Sequence, residues 1–486
     1  YNKEKFADFL YQSAATDNLW DGMWGLMRTY GALDTRVIVT LPNNPSPFAL
    51  PGHPLKDSSR TGVCPRNVPD IRVRDIYVDA YLASALAGAN GIQYSKRFNF
   101  YDPAGIVFVE TGNVTPIKQG TMKLEPLVLR ANAGDCIHLH LTNNLPQAMP
   151  EYDSWNTMPL IIAGFNFNQV KTSNMVSLHP QLLTYDVGSS DGAIIGKNPN
   201  TAVAPGQTKV YTWYAGKIIY KNATTVKATP VEFGATNLRD YGDVIKHSSH
   251  GLIGSLIVEP KGATWAIDSG TTANPGTTAS ANVYNANGSF LFREFVVQYQ
   301  SDLTMKDGSG KAMRNEHNED DPEDSGQQGF NYKREPLWAR LNLPPETDLK
   351  TLGDQDFTNT LSSNAANPGC GNAACGDPET PLFTAQAGKQ VRFRILDAAD
   401  HPRQHGFTLF GHHWNFEPWA NNSLTLGDNP MTFEIGSYSG IGPTRHLNIL
   451  TVAGGRFSVK GDYLYRTQES FKFSGGLWGI FRVTAP

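Results

Sequence analysis

The amino-acid sequence predicts an all-β protein built of tandem β-sandwiches with little helix. Gly (46) and Pro (31) are abundant and only 18% of the 486 residues are charged, which is typical of turn-rich β domains, while the 40% of apolar residues suffice to fill cores. A chain of this length indicates about three domains of ~150 residues, or two larger β domains. Segments that recur along the chain indicate one repeated kind of sandwich.

Charge and hydropathy exclude several classes of function. The net charge is -4 and basic residues do not cluster, which argues against a nucleic-acid partner, because neutralising phosphates needs dense Lys and Arg. No apolar run approaches the ~20 residues of a membrane-spanning helix, so we expect no membrane span. The sequence lacks a glycine-rich phosphate loop and a Gly-x-Ser-x-Gly elbow, which leaves nucleotide-dependent chemistry and serine hydrolysis without support.

The first and last parts of the chain carry the same motif. Residues 8–28 (DFLYQSAATDNLWDGMWGLMR) and 462–482 (DYLYRTQESFKFSGGLWGIFR) align without a gap. The identical pairs are Asp8/Asp462, Leu10/Leu464, Tyr11/Tyr465, Gly22/Gly476, Trp24/Trp478, Gly25/Gly479 and Arg28/Arg482. In a weaker third copy at 247–260, Gly251, Leu252 and Gly254 match Gly476, Leu477 and Gly479. The motif predicts a hairpin at the end of each sandwich.

Domain beginnings repeat as well. Residues 125–146 (EPLVLRANAGDCIHLHLTNNLP) and 380–400 (TPLFTAQAGKQVRFRILDAAD) share a Pro-Leu start, an Ala-x-Ala-Gly turn and an alternating strand pattern. We therefore predict the closing strands of a preceding domain at 1–35 and complete domains at 60–262 and 283–486. A chain that opens on closing strands is expected to be the back portion of a longer polypeptide, or a processed piece of one.

A polar insertion near 306–329 interrupts the second complete domain. Six of its carboxylates lie close together in the sequence: Glu316, Glu319, Asp320, Asp321, Glu323 and Asp324. Such a cluster can bind Ca²⁺ or Mn²⁺, which take oxygen ligands, or it can form a solvated loop. Both interpretations of residues 316–324 stay open.

The cysteines indicate an exported protein. Cys64, Cys136, Cys370 and Cys375 make an even count without a Cys-x-x-Cys motif, which favours disulfides over a metal site. A short-loop disulfide is expected between Cys370 and Cys375. A second disulfide, between Cys64 and Cys136, would attach the start of a domain to its sheet. We therefore expect a secreted, periplasmic or cell-surface protein.

Four phrases carry a resemblance to a known family. They are VSLHPQLLTYD (176–186), HGLIGSLIVEP (250–260), HPRQHGFTLFGHHW (401–414) and the ending GDYLYR (461–466) with GGLWGIFRV (475–483). The chain resembles the multicopper oxidase superfamily, in particular its long multi-cupredoxin branch that includes bacterial manganese oxidases. The resemblance implies cupredoxin-like Greek-key sandwiches, copper cofactors, and oxidation of a metal ion such as Mn(II), or of a small reductant, coupled to O₂ reduction.

The family's blue-copper ligands are only partly present. They are an early His, a Cys, a His five residues after the Cys and an axial Met or Leu five residues further, a donor set that suits copper because it combines a thiolate with imidazoles. The matching residues are His405, Thr467, Lys472 and Leu477 in the last domain, His179, Gly242, His247 and Leu252 in the middle one, and Ser13, Asn18 and Met23 near the start. The Cys is missing from all three sets.

The trinuclear copper positions of the family are altered in the same way. Thr408, Phe410, Arg466 and Gln468 stand at ligand positions in the last domain, and Gln181 at one in the middle domain. The resemblance therefore implies that copper lies mostly outside this segment. Its domains would act mainly as scaffold for other cupredoxin domains of the same polypeptide or complex. The alternative is a non-catalytic structural or assembly protein made of copper-free cupredoxin domains.

The remaining histidines offer candidate metal sites. His401, His405, His412 and His413 form the densest cluster, which His446 could approach, and His179, His247 and His250 could form a residual copper or zinc site. A mononuclear copper or zinc protein is thus a third hypothesis, while hydrogen bonding within the fold is the alternative for each residue. His138 and His140 share one strand face and could chelate a metal. Their counterparts, Arg392 and Arg394, predict instead that this face is solvated.

Overall fold

The structure, a computed structural model, describes residues 7–15, 18–19, 22–29, 63–64, 71–150, 172–220, 226–244, 246–303, 305–311, 313, 327–343, 358–364, 376–398, 404–419 and 423–486. The predictions for the acidic cluster at 316–324, for the Cys370–Cys375 disulfide and for His401 lie outside these residues.

Strands dominate the described residues. They are β1 (Ala7–Gln12), β2 (Trp24–Thr29), β3 (Val73–Leu82), β4 (Ile92–Ser95), β5 (Phe100–Asp102), β6 (Ile106–Glu110), β7 (Leu127–Asn132), β8 (Cys136–Asn143), β9 (His179–Pro180), β10 (Thr184–Tyr185), β11 (Thr208–Tyr214), β12 (Gly216–Tyr220), β13 (Val226–Pro230), β14 (Gly234–Arg239), β15 (Gly254–Glu259), β16 (Thr264–Asp268), β17 (Thr277–Tyr284), β18 (Phe290–Leu303), β19 (Gln327–Phe330), β20 (Leu382–Gln386), β21 (Gln390–Asp397), β22 (His405–Leu409), β23 (Trp414–Asn415), β24 (Glu434–Ile435), β25 (Ser437–Ile441), β26 (His446–Val452), β27 (Gly461–Arg466) and β28 (Trp478–Thr484).

Helices are short and peripheral. They are α1 (Ser84–Ala87), α2 (Val114–Lys118), α3 (Lys246–Ser249), α4 (Leu337–Arg340) and α5 (Ser470–Ser474), with 3-10 turns at Thr111–Asn113 and Gly455–Phe457. None of the helices in the described stretches is long and apolar enough to cross a membrane. The predicted all-β fold of tandem cupredoxin-like sandwiches with little helix is confirmed.

The first sandwich packs the sheet β10-β11-β8-β3-β6 against the sheet β7-β15-β14-β9. Along β8, Leu139 and Leu141 enter the core whereas His138 and His140 lie on the opposite, solvent-facing side, as the two-residue period of a strand requires. Trp213 is fully buried in the same core. The prediction of a Cys64–Cys136 disulfide is confirmed, with the two Cα atoms 5.7 Å apart at the start of β8.

The second sandwich packs the sheet β16-β17-β18-β21-β26 against the sheet β20-β28-β27-β22-β25, with β19 paired to β18. Its core is rich in aromatic rings, among which Phe295, Phe393 and Phe481 have centroids 5.1 to 5.5 Å apart. Rings at these separations add edge-to-face attraction to the burial of apolar area.

The sandwiches are not purely antiparallel in the described residues. Four strand pairs are parallel: β3–β8, β7–β15, β18–β21 and β20–β28. In each pair a strand from early in the unit lies beside a later one, and parallel neighbours need a crossover connection rather than a tight turn. The crossovers carry the chain from one sheet of a sandwich to the other.

The repeated motif folds alike at both ends of the chain. Asp8 is the register partner of Arg28 across β1 and β2, and Asp462 is the partner of Arg482 across β27 and β28. Nε of Arg28 lies 2.6 Å from Oδ1 of Asp8, and Nε of Arg482 lies 2.8 Å from Oδ1 of Asp462. The four identical residues therefore make the same bidentate cross-strand ion pair twice.

A buried ion cluster joins the two sandwiches and overturns one expectation. Arg394 on β21 is fully buried, not solvated, because its sheet faces the first sandwich. Nε of Arg394 lies 2.8 Å from Glu294, and Nη2 lies 3.3 Å from Glu259 of the first sandwich. Arg130 of the first sandwich, 3.0 Å from Glu294, completes the cluster. Burial and the Glu294 charge raise the pKa of Glu259, whereas Arg394 and Arg130 outweigh burial and lower the pKa of Glu294 to about 2.

Trp24, Trp414 and Trp478 have different surroundings. Trp414 and Trp478 are buried within the second sandwich, and the indole of Trp478 donates to the carbonyl of Glu335. Trp24 is exposed on the β1–β2 hairpin. Two of these side chains thus contribute to their own sandwich, and the third contributes an exposed ring.

Candidate metal centre

Three loops, which begin at Asn18, His247 and Lys472, share the same backbone geometry. By the family resemblance, each loop begins at the second-ligand position and ends at the axial position. The axial amide donates to the carbonyl five residues earlier: Met23 to Asn18 (2.9 Å), Leu252 to His247 (2.8 Å) and Leu477 to Lys472 (3.1 Å). The residue before the axial position has a positive φ, which favours glycine: Gly22 (96°), Gly251 (94°) and Gly476 (118°). Residue-by-residue comparison of the three ligand sets is therefore justified by the backbone.

In the second sandwich a hydroxyl and a carboxylate stand at the position of the missing thiolate. Thr467 is fully buried, and its Oγ1 donates a short hydrogen bond to Oε2 of Glu469. The amide of Gly406 lies 3.2 Å from the same carboxylate oxygen and 3.4 Å from Oγ1 of Thr467. These contacts attach the start of β22 to the loop after β27. Thr467 and Glu469 thus have a structural role.

A lysine stands at the second imidazole position. The ammonium of Lys472, which is 2% exposed, lies 3.4 Å from Nδ1 of His405 and 3.3 Å from the carbonyl oxygen of Gln404. An ammonium can only donate, so Nδ1 of His405 accepts and the ring proton sits on Nε2. That nitrogen lies 3.0 Å from Oγ of Ser301. Both nitrogens of His405 are thus engaged by protein groups.

This donor set does not suit copper. Copper cycling between its two oxidation states needs a thiolate with imidazoles, whereas the pocket holds a hydroxyl, one imidazole, a positive charge and a carboxylate that already accepts from Thr467 and Gly406. The ammonium of Lys472 repels a second cation at the short distance from His405 where the metal would bind. Leu477, at the axial position, is fully buried. The pocket thus contains the hydrogen-bonded ammonium of Lys472 and does not fit a copper ion.

The first sandwich also places a cation at the second-ligand position. His247 is fully buried, with Nδ1 2.8 Å from Oδ2 of Asp240 and Nε2 2.8 Å from the carbonyl oxygen of Ser173. Burial alone would lower the pKa of His247, but the Asp240 carboxylate outweighs it and raises the pKa to about 9. His247 is an imidazolium at neutral pH that donates from both nitrogens, so neither can bind a metal.

The early histidine of that sandwich is neutral. Nδ1 of His179 lies 2.6 Å from the carbonyl oxygen of Asp191, and the ring contacts Tyr185 and Tyr241 edge-on. Burial lowers the pKa of His179 to about 4. At the thiolate position, a side chain on Gly242 would overlap the carbonyl oxygen of Met175. The position lacks both the sulfur and the room for it.

His250 and His412 are held by hydrogen bonds of the fold. Nδ1 of His250 lies 2.8 Å from Oδ2 of buried Asp102, which links the turn after α3 to β5. His412 donates from Nδ1 to the carbonyl of Phe410 (2.9 Å) and accepts at Nε2 from the amide of Gly454 (3.1 Å). Burial lowers the pKa of His412, which is consistent with a neutral ring.

His413 and His446 lie at two different clefts. His413 is exposed and borders a cavity of about 360 Å³ together with Asp428 and Glu434. His446 borders a cavity of about 390 Å³ between the two sandwiches, and burial lowers the pKa of His446 to about 4. These clefts differ from the His405 pocket, so the expected cluster of His405, His412 and His413 is not a single site in the described residues.

The side chains at the altered trinuclear positions make hydrogen bonds within the fold. Gln468 donates from Nε2 to Oγ1 of Thr408 (3.2 Å), and Nε of Arg466 donates to the carbonyl oxygen of Thr467 (2.8 Å). In the first sandwich, Gln181 accepts from the amide of Asn237 (3.0 Å). These side chains satisfy polar groups at positions where the family resemblance implies imidazoles.

Across the parts of the chain that the structure describes, no three His, Cys, Asp or Glu side chains are already arranged to hold a metal ion. Sequence reasoning missed the side chains that engage the candidate residues: Ser301 at His405, Asp240 at His247, Asp102 at His250 and Glu469 at Thr467. Glu469 follows Thr467 by two residues and could have been found from that spacing. Asp102 and Ser301 lie on other strands, and only the three-dimensional pairing brings them to His250 and His405.

Comparisons with known proteins give distant structural likenesses. No family model and no curated protein matches the sequence. Similar solved structures include a multicopper oxidase (15% identity, TM-score 0.42, covering 86% of this chain and 91% of that one). Others are a copper nitrite reductase (13%, 0.43, 85% and 94%) and a blue copper oxidase (12%, 0.41, 85% and 86%), both from Nitrosomonas europaea.

Proposed function

We propose that this chain is a copper-free scaffold segment, the C-terminal part of an exported multicopper-oxidase-like protein. Residues 60–262 and 283–486 would be its two complete cupredoxin-like domains, and residues 1–35 would provide the closing strands of a preceding one. Its partners would be other cupredoxin domains of the same polypeptide or complex. Those domains would carry the coppers that pass electrons from Mn(II) or a small reductant to O₂.

One observation carries the scaffold assignment. The ammonium of Lys472 faces Nδ1 of His405 at 3.4 Å, beside the Thr467–Glu469 hydrogen bond. A buried polar network fixes the side chains that form it. The hydrogen bonds of this pocket therefore support a structural role for the second sandwich.

The β1–β2 hairpin supports a role in joining domains. It is anchored to the first sandwich, where Asp8 accepts from the amide of Lys197 (2.7 Å) and Gln12 donates to the hydroxyl of Tyr241 (2.7 Å). Its other face is apolar and exposed, although its counterparts in the second sandwich are buried. The exposed fractions are Tyr11 64% against Tyr465 0% and Met27 57% against Phe481 0%. We infer that strands of a further cupredoxin-like domain cover this face.

Copper reconstitution tests the scaffold assignment. The chain is exposed to Cu²⁺ under reducing and oxidising conditions and dialysed, and we expect no copper–thiolate absorption near ~600 nm. The double variant Thr467→Cys/Lys472→His, which restores the thiolate and the second imidazole beside His405, serves as the positive control. An intense blue colour in the unaltered chain would contradict the proposal.

The alternative is a structural or assembly protein without oxidase activity, and the hydrogen-bonded His405 pocket favours it equally. Oxygen consumption with Mn(II) by the native complex that contains this chain separates the two. We expect consumption that stops when copper is removed. A complex that contains no copper and consumes no O₂ would leave the structural role alone.

A further inference from the structure

The outer face of the first sandwich brings two histidines and one aspartate together, away from the family's ligand positions. We propose that Asp75, His138 and His140 form a surface site for a borderline divalent transition-metal ion, with Zn²⁺ as the probe. No step of the proposed oxidase chemistry uses these residues.

The strand register places the three side chains. β3 and β8 run parallel, and Asp75 pairs with His138 while Tyr77 pairs with His140. Residues two apart on a strand point to the same face, so both imidazoles and the carboxylate emerge on the solvent side of the sheet. The exposed side-chain fractions are 36% for His138, 23% for His140 and 49% for Asp75, so an ion can reach all three.

The distances are close to those of a coordination shell. Oδ1 of Asp75 lies 2.9 Å from Nε2 of His140 and 3.6 Å from Nδ1 of His138. Ligands that bind Zn²⁺ tetrahedrally at ~2.0–2.1 Å lie about 3.3 Å from one another, between those two values. The three donors do not converge on one point as they stand, so binding requires the carboxylate of Asp75 and the more exposed imidazole of His138 to rotate towards His140.

Neighbouring groups prepare the site. The ring of Tyr77 stacks on that of His140, with centroids 4.4 Å apart and planes 19° from parallel, which limits rotation of the imidazole. The Cys64–Cys136 disulfide fixes β8 two residues before His138, and Nε2 of His138 lies 3.7 Å from Sγ of Cys136. Partners of this kind orient metal ligands and contribute to affinity.

The donor chemistry selects the ion. Two imidazoles and a carboxylate suit Zn²⁺ and Cu²⁺, whereas Ca²⁺ and Mg²⁺ prefer oxygen ligands. On the other flank, β11 presents Val210 and Thr212 opposite His140 and His138, and neither carries a charge. The two strands that flank β8 thus place no cation in the site.

Calorimetric titration of the intact chain with Zn²⁺ tests the proposal, with Mg²⁺ as the negative ion. We expect a Zn²⁺-binding step that is weakened at least about tenfold by His138→Gln, by His140→Gln and by Asp75→Asn. His413→Gln is the matched control, because His413 is an exposed histidine of the second sandwich, and it should leave this step unchanged. Far-UV circular dichroism verifies that each variant is folded.

A second readout identifies the ligands. With one equivalent of Cu²⁺, the electron paramagnetic resonance spectrum should show nitrogen coupling that falls from two nitrogens to one in His138→Gln and in His140→Gln. Unchanged Zn²⁺ affinity in folded His138→Gln and His140→Gln would overturn the proposal, as would loss of the binding step in His413→Gln or equal affinity for Mg²⁺.

Discussion

The ammonium of Lys472 lies 3.4 Å from Nδ1 of His405, in the loop that precedes β28. In the first sandwich the same loop position holds the imidazolium of His247, paired with Asp240 at 2.8 Å. Both sandwiches thus keep a positive charge there, supplied by the chain itself. A buried cation that donates hydrogen bonds can stabilise the loop without a metal, provided that its acceptors stay in place.

Lys472→Met should destabilise the second sandwich. The substitution keeps the apolar stem but removes the ammonium. Nδ1 of buried His405 and the carbonyl oxygen of Gln404 then lose a hydrogen-bond donor. We expect a loss of about 1–3 kcal/mol in the free energy of unfolding, measured by urea denaturation. Lys460→Met, at an exposed lysine of the same sandwich, is the control and should change stability little. Equal effects of the two substitutions would contradict a structural role for the Lys472 ammonium.

Stability should fall as the pH rises from 6.5 to 9, because of His247. The Asp240 carboxylate raises the pKa of His247 from 6.5 to about 9 against the effect of burial, so the folded state binds the proton more tightly than the unfolded state. The stabilisation is complete below pH 6.5 and is lost as the pH rises through 9. Its size is about 3 kcal/mol, from ~1.4 kcal/mol per pKa unit.

Urea denaturation across this pH range measures the loss, and His247→Gln should flatten the curve. The contribution of His247 is the difference between the two curves, because another group also titrates in this range: burial lowers the pKa of Lys333 to about 8, which adds stability above that pH. The pKa values of His179 and His446 are lowered to about 4, so their contributions change mainly below pH 6.5. A variant curve as steep as the original would exclude His247 as the source.

Arg394→Met should weaken the joint between the two sandwiches. Arg394 is buried between Glu294 and Glu259, and its removal leaves two buried carboxyls with less compensation. We expect a loss of about 3–5 kcal/mol, read from calorimetric unfolding. Arg456→Met breaks an exposed ion pair with Glu434 (3.7 Å) and should cost no more than ~1 kcal/mol. Similar losses in both variants would show that the buried cluster adds nothing to the joint.

Local patterns predicted the sandwiches and their hairpins, because strand alternation and the repeated Asp-to-Arg spacing are properties of neighbouring residues. Identities between the copies also aligned Lys472 with Asn18 and His247, whose loops share its backbone geometry. The surroundings of Arg394 were not predictable in this way, since its strand pattern does not reveal that another sandwich covers that face. For the same reason Asp75 escaped notice, because its proximity to His140 depends on a parallel register between strands that are far apart in sequence.

The repeat offers a matched test of burial at one position. Tyr465 lies across Gly479 on the neighbouring strand, and Tyr11 lies across Gly25 in the equivalent hairpin. A Cβ atom on either glycine would overlap the tyrosine ring. Tyr465 is fully buried and its hydroxyl donates to the carbonyl of Pro381, so that ring cannot move aside, whereas the exposed Tyr11 can.

Gly479→Ala should therefore cost about 1–3 kcal/mol, the usual range for an overpacked core, and Gly25→Ala no more than ~0.5 kcal/mol. Both values come from urea denaturation of the intact chain. The double variant Gly479→Ala/Tyr465→Phe tests whether the hydrogen bond to Pro381 holds the ring in place, because without the hydroxyl the ring can shift away from the new methyl group and part of the loss should be recovered. If Gly25→Ala costs as much as Gly479→Ala, then Tyr11 is as tightly held as Tyr465. The exposed face of the first hairpin would then be covered in solution even without a further domain.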